Sequence, residues 1–386
     1  MRRAAVLLAA ALAALSAQAS PLLYGPWTGA PETSAVTVSW ASAPASPARV
    51  EYGPLRRGWP LDLFPHARTY TPTSPADQEI VHLRLDDLVP DTWYVYRVVF
   101  PDGSRSPVGS FRTAPPSGTA VVFGVVADTQ WQWEGPNRVE MVAQAMAETP
   151  FTYHFVLHGG DLVESPIPSH WAFFFRSMAP VLRGAPLLPV LGNHERDSLS
   201  YYGHFAPPPG GGRLGKRWWT LRWGDVVVVG LDSNARRPQD YLDQVDWLRE
   251  SLSGPEPHRF VIFHHPVFSS DAVYAPGTEG LQALWHPRFV ELGVDLVFSG
   301  HAHNYERIER DGVTYLVVGG GGANLYPLAP TRVAGSQVGV EGHHFYVRVE
   351  AGPAGIRVEV HAAAQVVGAD VLPVRRVLDA FTLPAD

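Results

Sequence analysis

Val294–His303 reads VDLVFSGHAH. The run from Val294 to Phe298 is short and nearly all apolar, the pattern of a strand buried on both faces. Gly300 allows the turn that presents His301, and two imidazoles one residue apart in such a loop can face two metal ions. The same pattern recurs upstream. Val121–Val126 leads to Asp128, Phe155–Leu157 to Gly159-Gly160-Asp161, Leu187–Leu191 to Gly192-Asn193-His194-Glu195, and Phe260–Phe263 to His264-His265-Pro266. Taken singly, a Gly-Asp or Gly-Asn pair after a strand reads as an ordinary turn. Five polar groups in order, each just past an apolar strand, read instead as one cluster at the carboxyl edge of an α/β sheet system. Val226–Gly230 and Tyr315–Val318 complete the strand candidates. Arg138–Glu148, with Asn137 as N-cap, and Tyr241–Leu252, with Leu242, Val245, Leu248 and Leu252 in register, are helix candidates that cover the sheets.

Composition narrows the chemistry. Cysteine is absent, which excludes disulfides, zinc thiolates and cysteine nucleophiles and leaves carboxylates and the 16 histidines to bind metal. The formal charge is −7 and no basic run appears, so a nucleic acid polymer is not an expected partner, and an anionic substrate must be drawn by something local. Residues 1–19 read as a signal peptide: Arg2 and Arg3, an apolar run from Ala4 to Leu15, then Ala17-Gln18-Ala19 as the cleavage site. That run is shorter than the roughly 20 residues of a membrane helix, so the expected product is secreted or periplasmic with no membrane span; a retained anchor is the other reading.

Leu22 to Thr113 is different in texture. Ala35–Trp40, Ala48–Tyr52, Ile80–Leu85 and Trp93–Phe100 are short alternating runs separated by Pro, Gly and Asp, as in a small β-sandwich. Pro115-Pro116-Ser117-Gly118 then suits a stiff linker. The expected division is 20–114 for the sandwich and 119–386 for the α/β domain. Past Gly342, Phe345–Glu350 and Ile356–Val360 return to strand-like alternation, so the chain is expected to end on further sheet.

The ordered blocks Asp128, Gly160-Asp161, Gly192-Asn193-His194-Glu195, His264 with Pro266, and Gly300-His301-Ala302-His303 resemble the calcineurin-like metallophosphoesterase superfamily. Within it, SGHAHNYER at 299–307 is similar to the purple acid phosphatases and their bacterial relatives, and Leu88, Pro90, Thr92 and either Tyr94 or Tyr96 resemble the tyrosine corner of a fibronectin type III domain. The resemblance implies a four-layer α/β/β/α metallophosphoesterase sandwich preceded by a small all-β, fibronectin type III-like sandwich. It implies two divalent or trivalent ions (Fe, Zn or Mn), with Asp161 bridging, Asp128 and His303 on the first, and Asn193, His264 and His301 on the second. Two positions depart from the purple pattern. Gln130 stands two after Asp128, and Glu164 stands three after Asp161 where the purple enzymes carry tyrosine, so their charge-transfer colour is not expected. Either residue could ligate a metal or orient substrate.

Two ions about 3.5 to 4 Å apart can share a hydroxide and clamp the attacking and leaving oxygens of phosphorus; hydrolysis of a small-molecule phosphate monoester is the leading expectation, although the same pair would serve a diester. Family position makes His194 the general acid or transition-state stabiliser; orienting Glu195 or the loop is its bland alternative. Hydrolysis of phosphodiesters or nucleotides on the same site, and a catalytically inert surface-binding protein, are the rival readings. His265 is open to three roles: supporting the ligands, contacting substrate, or packing. Trp131 and Trp133 could stack on an aromatic leaving group, Gly319–Gly322 reads as a tight turn behind the site, and Gly210–Gly212 after Pro207–Pro209 reads as a surface loop, substrate-side or not. The fibronectin-like domain either shapes one wall of the site or mediates a homodimer.

Overall fold

The computed structural model describes residues 20–56, 64–74, 76–130 and 135–385. The signal-peptide reading of residues 1–19 and the stacking reading of Trp131 and Trp133 lie outside the described residues.

Alternation builds the inner layers. In the strand Val121–Val126, Val121, Phe123 and Val125 face one way into a core shared with Phe155, Leu157, Val226, Val228, Phe260, Ile262, Leu296 and Phe298. Val126 faces the other way, onto the helices Arg138–Met146, Pro168–Ser177 and Ala179–Leu182. Val227, Val229, Val261 and Val297 likewise turn outward onto the helices Pro238–Ser251, Glu279–Leu284 and His286–Glu291. Residues of period two therefore divide between two cores, and the layers read helix, sheet, sheet, helix.

One inner sheet has six strands in the order Leu187–Pro189, Phe155–His158, Val121–Val126, His343–Gly352, Gly355–Val367, Asp370–Leu383; its first three are parallel. The other has eight, and within it Val226–Gly230, His258–Ile262, Leu296–Ser299 and Val313–Val318 run parallel as neighbours. The helix Arg138–Met146 starts where expected, the Asn137 side chain accepting the Glu140 N–H at 3.1 Å. Not foreseen are the antiparallel strands Trp218–Trp223 and Tyr305–Arg310, the latter beginning within the SGHAHNYER stretch.

The N-terminal part is a sandwich of a three-stranded and a four-stranded sheet around Val38, Trp40, Val50, Val98 and Phe111. Its corner uses Tyr94, whose hydroxyl accepts the Val89 N–H at 2.9 Å, while Tyr96 is fully buried. It docks through Tyr24 and Trp27, which stack on Phe175 with ring centroids 5.2 and 4.1 Å apart, and Tyr24 Oη meets His204 Nε2 at 2.9 Å. These contacts go to helices of the α/β part rather than to the polar residues at its sheet edge. No helix among the described residues is long and apolar enough to cross a membrane.

Trp27 is only 2% exposed. Trp27→Ala is expected to cost about 3–5 kcal/mol, measured as a lower urea midpoint, with metal content at saturating metal unchanged.

Candidate metal centre

The parallel strands end at one edge, and the loops that follow them bring the predicted residues together. Asp128 and Asp161 are 0% and 1% exposed. Asp128 accepts the His301 N–H, at 3.0 and 2.9 Å to its two oxygens, and lies 3.3 Å from His303 Nε2. Asp161 Oδ1 accepts the His194 N–H at 2.8 Å, and its Oδ2 lies 3.2 Å from His264 Nε2. Asp128, Asp161 and His301 have φ of 59°, 53° and 67°, a left-handed backbone that Asp and His tolerate better than most residues and that turns their side chains at the strand ends. Gly192 makes the close approach possible, since a Cβ there would lie 2.1 Å from Asp161 N.

His264 carries the clearest signal. Its Nδ1 donates to the Gly159 carbonyl at 2.9 Å, so in the neutral ring Nε2 is a lone pair; yet it faces Asn193 Oδ1 at 2.9 Å and the Asp161 carboxylate, both acceptors. Only a proton or a metal cation reconciles the three. Burial alone would push the His264 pKa down, but the Asp161 carboxylate, with Asp128 and the Gly159 carbonyl, outweighs it and takes it from its ordinary 6.5 to about 9. Asp161 shows the reciprocal effect: burial raises it, and His264 pulls it below the usual carboxylate range. His303 donates Nδ1 to the Asn324 carbonyl at 2.6 Å and turns Nε2 to Asp128; its pKa is raised despite burial by that carboxylate. Burial, then the rings of His264 and His265, push His301 down to about 2, so its ring is neutral.

Ligating atoms of Asp128, Asp161 and His264 fall within 4.8 Å of one another, as do those of His264, His265 and His301. His265 thus joins the cluster. Its Nδ1 meets Ser233 Oγ at 2.9 Å, and burial pushes it down to about 3. Gln130 is also brought in: its Nε2 reaches Asp161 Oδ2 at 3.2 Å and His303 Nε2 at 3.3 Å, while its Oε1 is buried with no partner. Half a turn of the amide would point that orphaned oxygen at the space between the carboxylates, so the donor set fits a pair of cations. Glu164 is not brought in. Neither group of ligating atoms includes it; its carbonyl accepts from His194 Nδ1 at 2.9 Å and its carboxylate stands 3.8 Å from the same ring.

Sequence reasoning named Glu195 but missed what it does. The carboxylate is 0% exposed and accepts four backbone N–H groups: Asp161 (3.0 Å) and Gly192 (2.8 Å) on Oε2, Leu162 (2.8 Å) and Val163 (3.2 Å) on Oε1. Burial, then Asp161, push it up to about 7 against those donors. Also unforeseen, Tyr274 packs on the His301 ring (4.1 Å between centroids) and Tyr326 stacks on that of His303 (4.3 Å). Gly319–Gly322 is the expected turn behind the site, with Gly321 N–H donating to Ala127 O and Ala323 N–H to Asp128 O.

A two-sheet α/β sandwich with such an edge is the build of a phosphoesterase. Residues 121–305 match the calcineurin-like phosphoesterase family, and residues 25–113 match the purple acid phosphatase N-terminal domain. The chain therefore carries a calcineurin-like phosphoesterase domain preceded by a purple acid phosphatase N-terminal domain. It is 30% identical to purple acid phosphatase 1 of Ipomoea batatas over 62% of this chain and 54% of that one, and 26% identical to the Fe(3+)-Zn(2+) purple acid phosphatase 12 of Arabidopsis thaliana over 62% and 55%. The chain thus spans little more than half the length of these two curated relatives. Its fold is similar to that of purple acid phosphatase PPD1 from yellow lupin seeds, with a TM-score of 0.71 and 20% identity over 93% of this chain and 74% of that one.

Two outcomes are expected. Glu195→Gln turns an amide N–H toward backbone N–H groups and should cost about 3–5 kcal/mol, seen in chemical unfolding, with reduced metal affinity in a titration. In the metal-free protein the His264 proton stabilises the fold; that contribution is complete below pH 6.5 and lost as pH rises through about 9. Metal must displace the same proton, so affinity should climb with pH up to about 9, and calorimetry in buffers of different ionisation enthalpy should register its release.

Proposed function

We propose that the chain is a dinuclear-metal phosphoric ester hydrolase acting on phosphate monoesters. The observation that carries this reading is His264 Nε2 turned on two acceptor oxygens, 2.9 and 3.2 Å away, beside the orphaned Gln130 Oε1. Asp161 would bridge the ions, Asp128 and His303 would hold one, and Asn193, His264 and His301 the other, with Gln130 beside the first. The nitrogen and oxygen donors and the iron–zinc name of the Arabidopsis relative favour Fe, Zn or Mn. When bound, the metal pair supplies Lewis-acid stabilisation of the phosphoryl oxygens and acidifies the attacking water.

His194 handles the leaving group. Its Nδ1 proton is committed to the Glu164 carbonyl, which fixes the tautomer and leaves Nε2, on a side chain 30% exposed, 3.8 Å from Asp161 Oδ2. From there a protonated ring can pass a proton to the departing alkoxide. Glu164, by carbonyl and carboxylate, orients that ring in place of ligating metal. A fibronectin type III-like domain over 20–114, a metallophosphoesterase domain over 119–386, and export directed by residues 1–19 belong to the same proposal; N-terminal sequencing of the mature protein tests the export.

Purified protein should contain two metal ions per chain and hydrolyse p-nitrophenyl phosphate in a chelator-sensitive way, faster than its bis ester. His194→Ala should keep the metal but lose about 10²–10⁴ in kcat on alkyl phosphates, and less on p-nitrophenyl phosphate, whose leaving group needs no proton. Asn193→Ala or His264→Ala should lose metal. No metal uptake and no turnover with Mn, Zn or Fe supplied would sink the reading.

A further inference from the structure

A cavity of about 660 Å³ is lined by Asp197, Gly212, Arg213, Arg217, Arg236, Arg237 and Asp240. Its arginines come from separate segments, so no basic run marks it in the sequence. Arg217 is held by Asp232 and by Asp240 (3.3 Å), Arg237 by Asp240 (Nε to Oδ2, 3.2 Å), and Arg213 by Asp197 (3.3 Å). Arg236 is exposed and has no ion pair among the described residues. Four guanidinium groups line the cavity with the carboxylates of Asp197 and Asp240, while Asp232 holds Arg217 and Asp243 acts on Arg237, in a chain whose formal charge is −7. The ion pairs also leave guanidinium N–H groups unused, since each group carries five.

The cavity borders the two loops that frame the site. Asp197 is four residues past Asn193, a reach of at most about 14 Å, and the Arg196 N–H donates to the Asn193 carbonyl at 3.3 Å. Arg236 is three residues past Ser233, at most about 11 Å, and Ser233 Oγ bonds both the N–H and Nδ1 of His265 at 2.9 Å. These limits place the arginine loops no more than about 11–14 Å along the backbone from Asn193 and Ser233, the span that the alcohol portion of a phosphate ester held at the metals would have to cross.

We propose that this cavity is a second anion subsite, and that the preferred substrates are phosphate esters whose alcohol portion carries a second phosphate or similar anion. The inference rests on the hydrolase reading for its orientation. Arginine forks match phosphate oxygens and hold them through paired, charge-assisted hydrogen bonds.

The test compares fructose 6-phosphate with fructose 1,6-bisphosphate on metal-loaded enzyme. Wild type should favour the bisphosphate in kcat/KM by about tenfold, through KM, with the preference shrinking as salt rises. Arg236→Ser, which breaks no ion pair, should remove part of the preference and Arg236→Ser with Arg237→Ser the rest, while kcat/KM on p-nitrophenyl phosphate stays within about twofold. Equal kcat/KM for the two sugars in wild type, or a preference that survives the double substitution, overturns the subsite. If p-nitrophenyl phosphate is not turned over at all, the hydrolase reading fails on its own. Calorimetric titration with fructose 1,6-bisphosphate then decides the subsite: binding lost in the double variant supports it, and no binding to wild type overturns it.

Discussion

A carboxylate with no solvent exposure, Glu195, accepts four backbone N–H groups from two loops that follow different strands. Burying such a charge costs several kcal/mol unless its acceptor sites are filled, and here both oxygens take two donors each. What those bonds fix is the turn at Asp161. With its N–H held by Glu195, the Asp161 side chain can accept the His194 N–H and meet His264 in one conformation. Asp161, His194 and His264, the residues proposed to bridge the ions, to act as acid and to hold the second ion, therefore share a single mechanical anchor.

The loops that carry the ligands are not relaxed. Left-handed backbone at Asp128, Asp161 and His301 costs on the order of 1–2 kcal/mol each, and the like-charged carboxylates of Asp128 and Asp161 are buried near one another. The two-sheet core offsets this, because side chains such as Phe123, Phe260 and Phe298 are wholly buried between rigid parallel strands. Strands hold the loop ends still, and the strained turns aim the side chains. Fold and site divide the labour in that way, which is why the site residues stand at strand ends and the large apolar residues within the strands.

The layered fold and most of the cluster were legible in the sequence because both rest on local pattern. An apolar run followed by glycine and a polar residue states where a strand stops and what it presents. The role of Glu195 was not legible, since its partners are main-chain N–H groups that carry no sequence signal. Tyr305–Arg310 escaped notice because YERIER sets charged residues among few apolar ones, although Ile308 and Tyr305 are fully buried. Glu164 was open between ligation and orientation; its carbonyl bond to His194 depends on loop geometry, not on spacing. The arginines at 213, 217, 236 and 237 looked dispersed, and only the fold gathers them.

Charge imposes an order of events on this site. Before any cation arrives, the site holds the carboxylates of Asp128 and Asp161, Glu195 lies directly behind Asp161, and the chain as a whole is acidic; a phosphate dianion meets repulsion there. The proton on His264 relieves only part of it. Two metal ions reverse the local sign and outweigh the distant charges, whose effect fades over about 8–10 Å in physiological salt. On the proposed hydrolase reading, metal therefore binds first and substrate second, and the proposed arginine subsite acts on a molecule already drawn to the edge of the sheets.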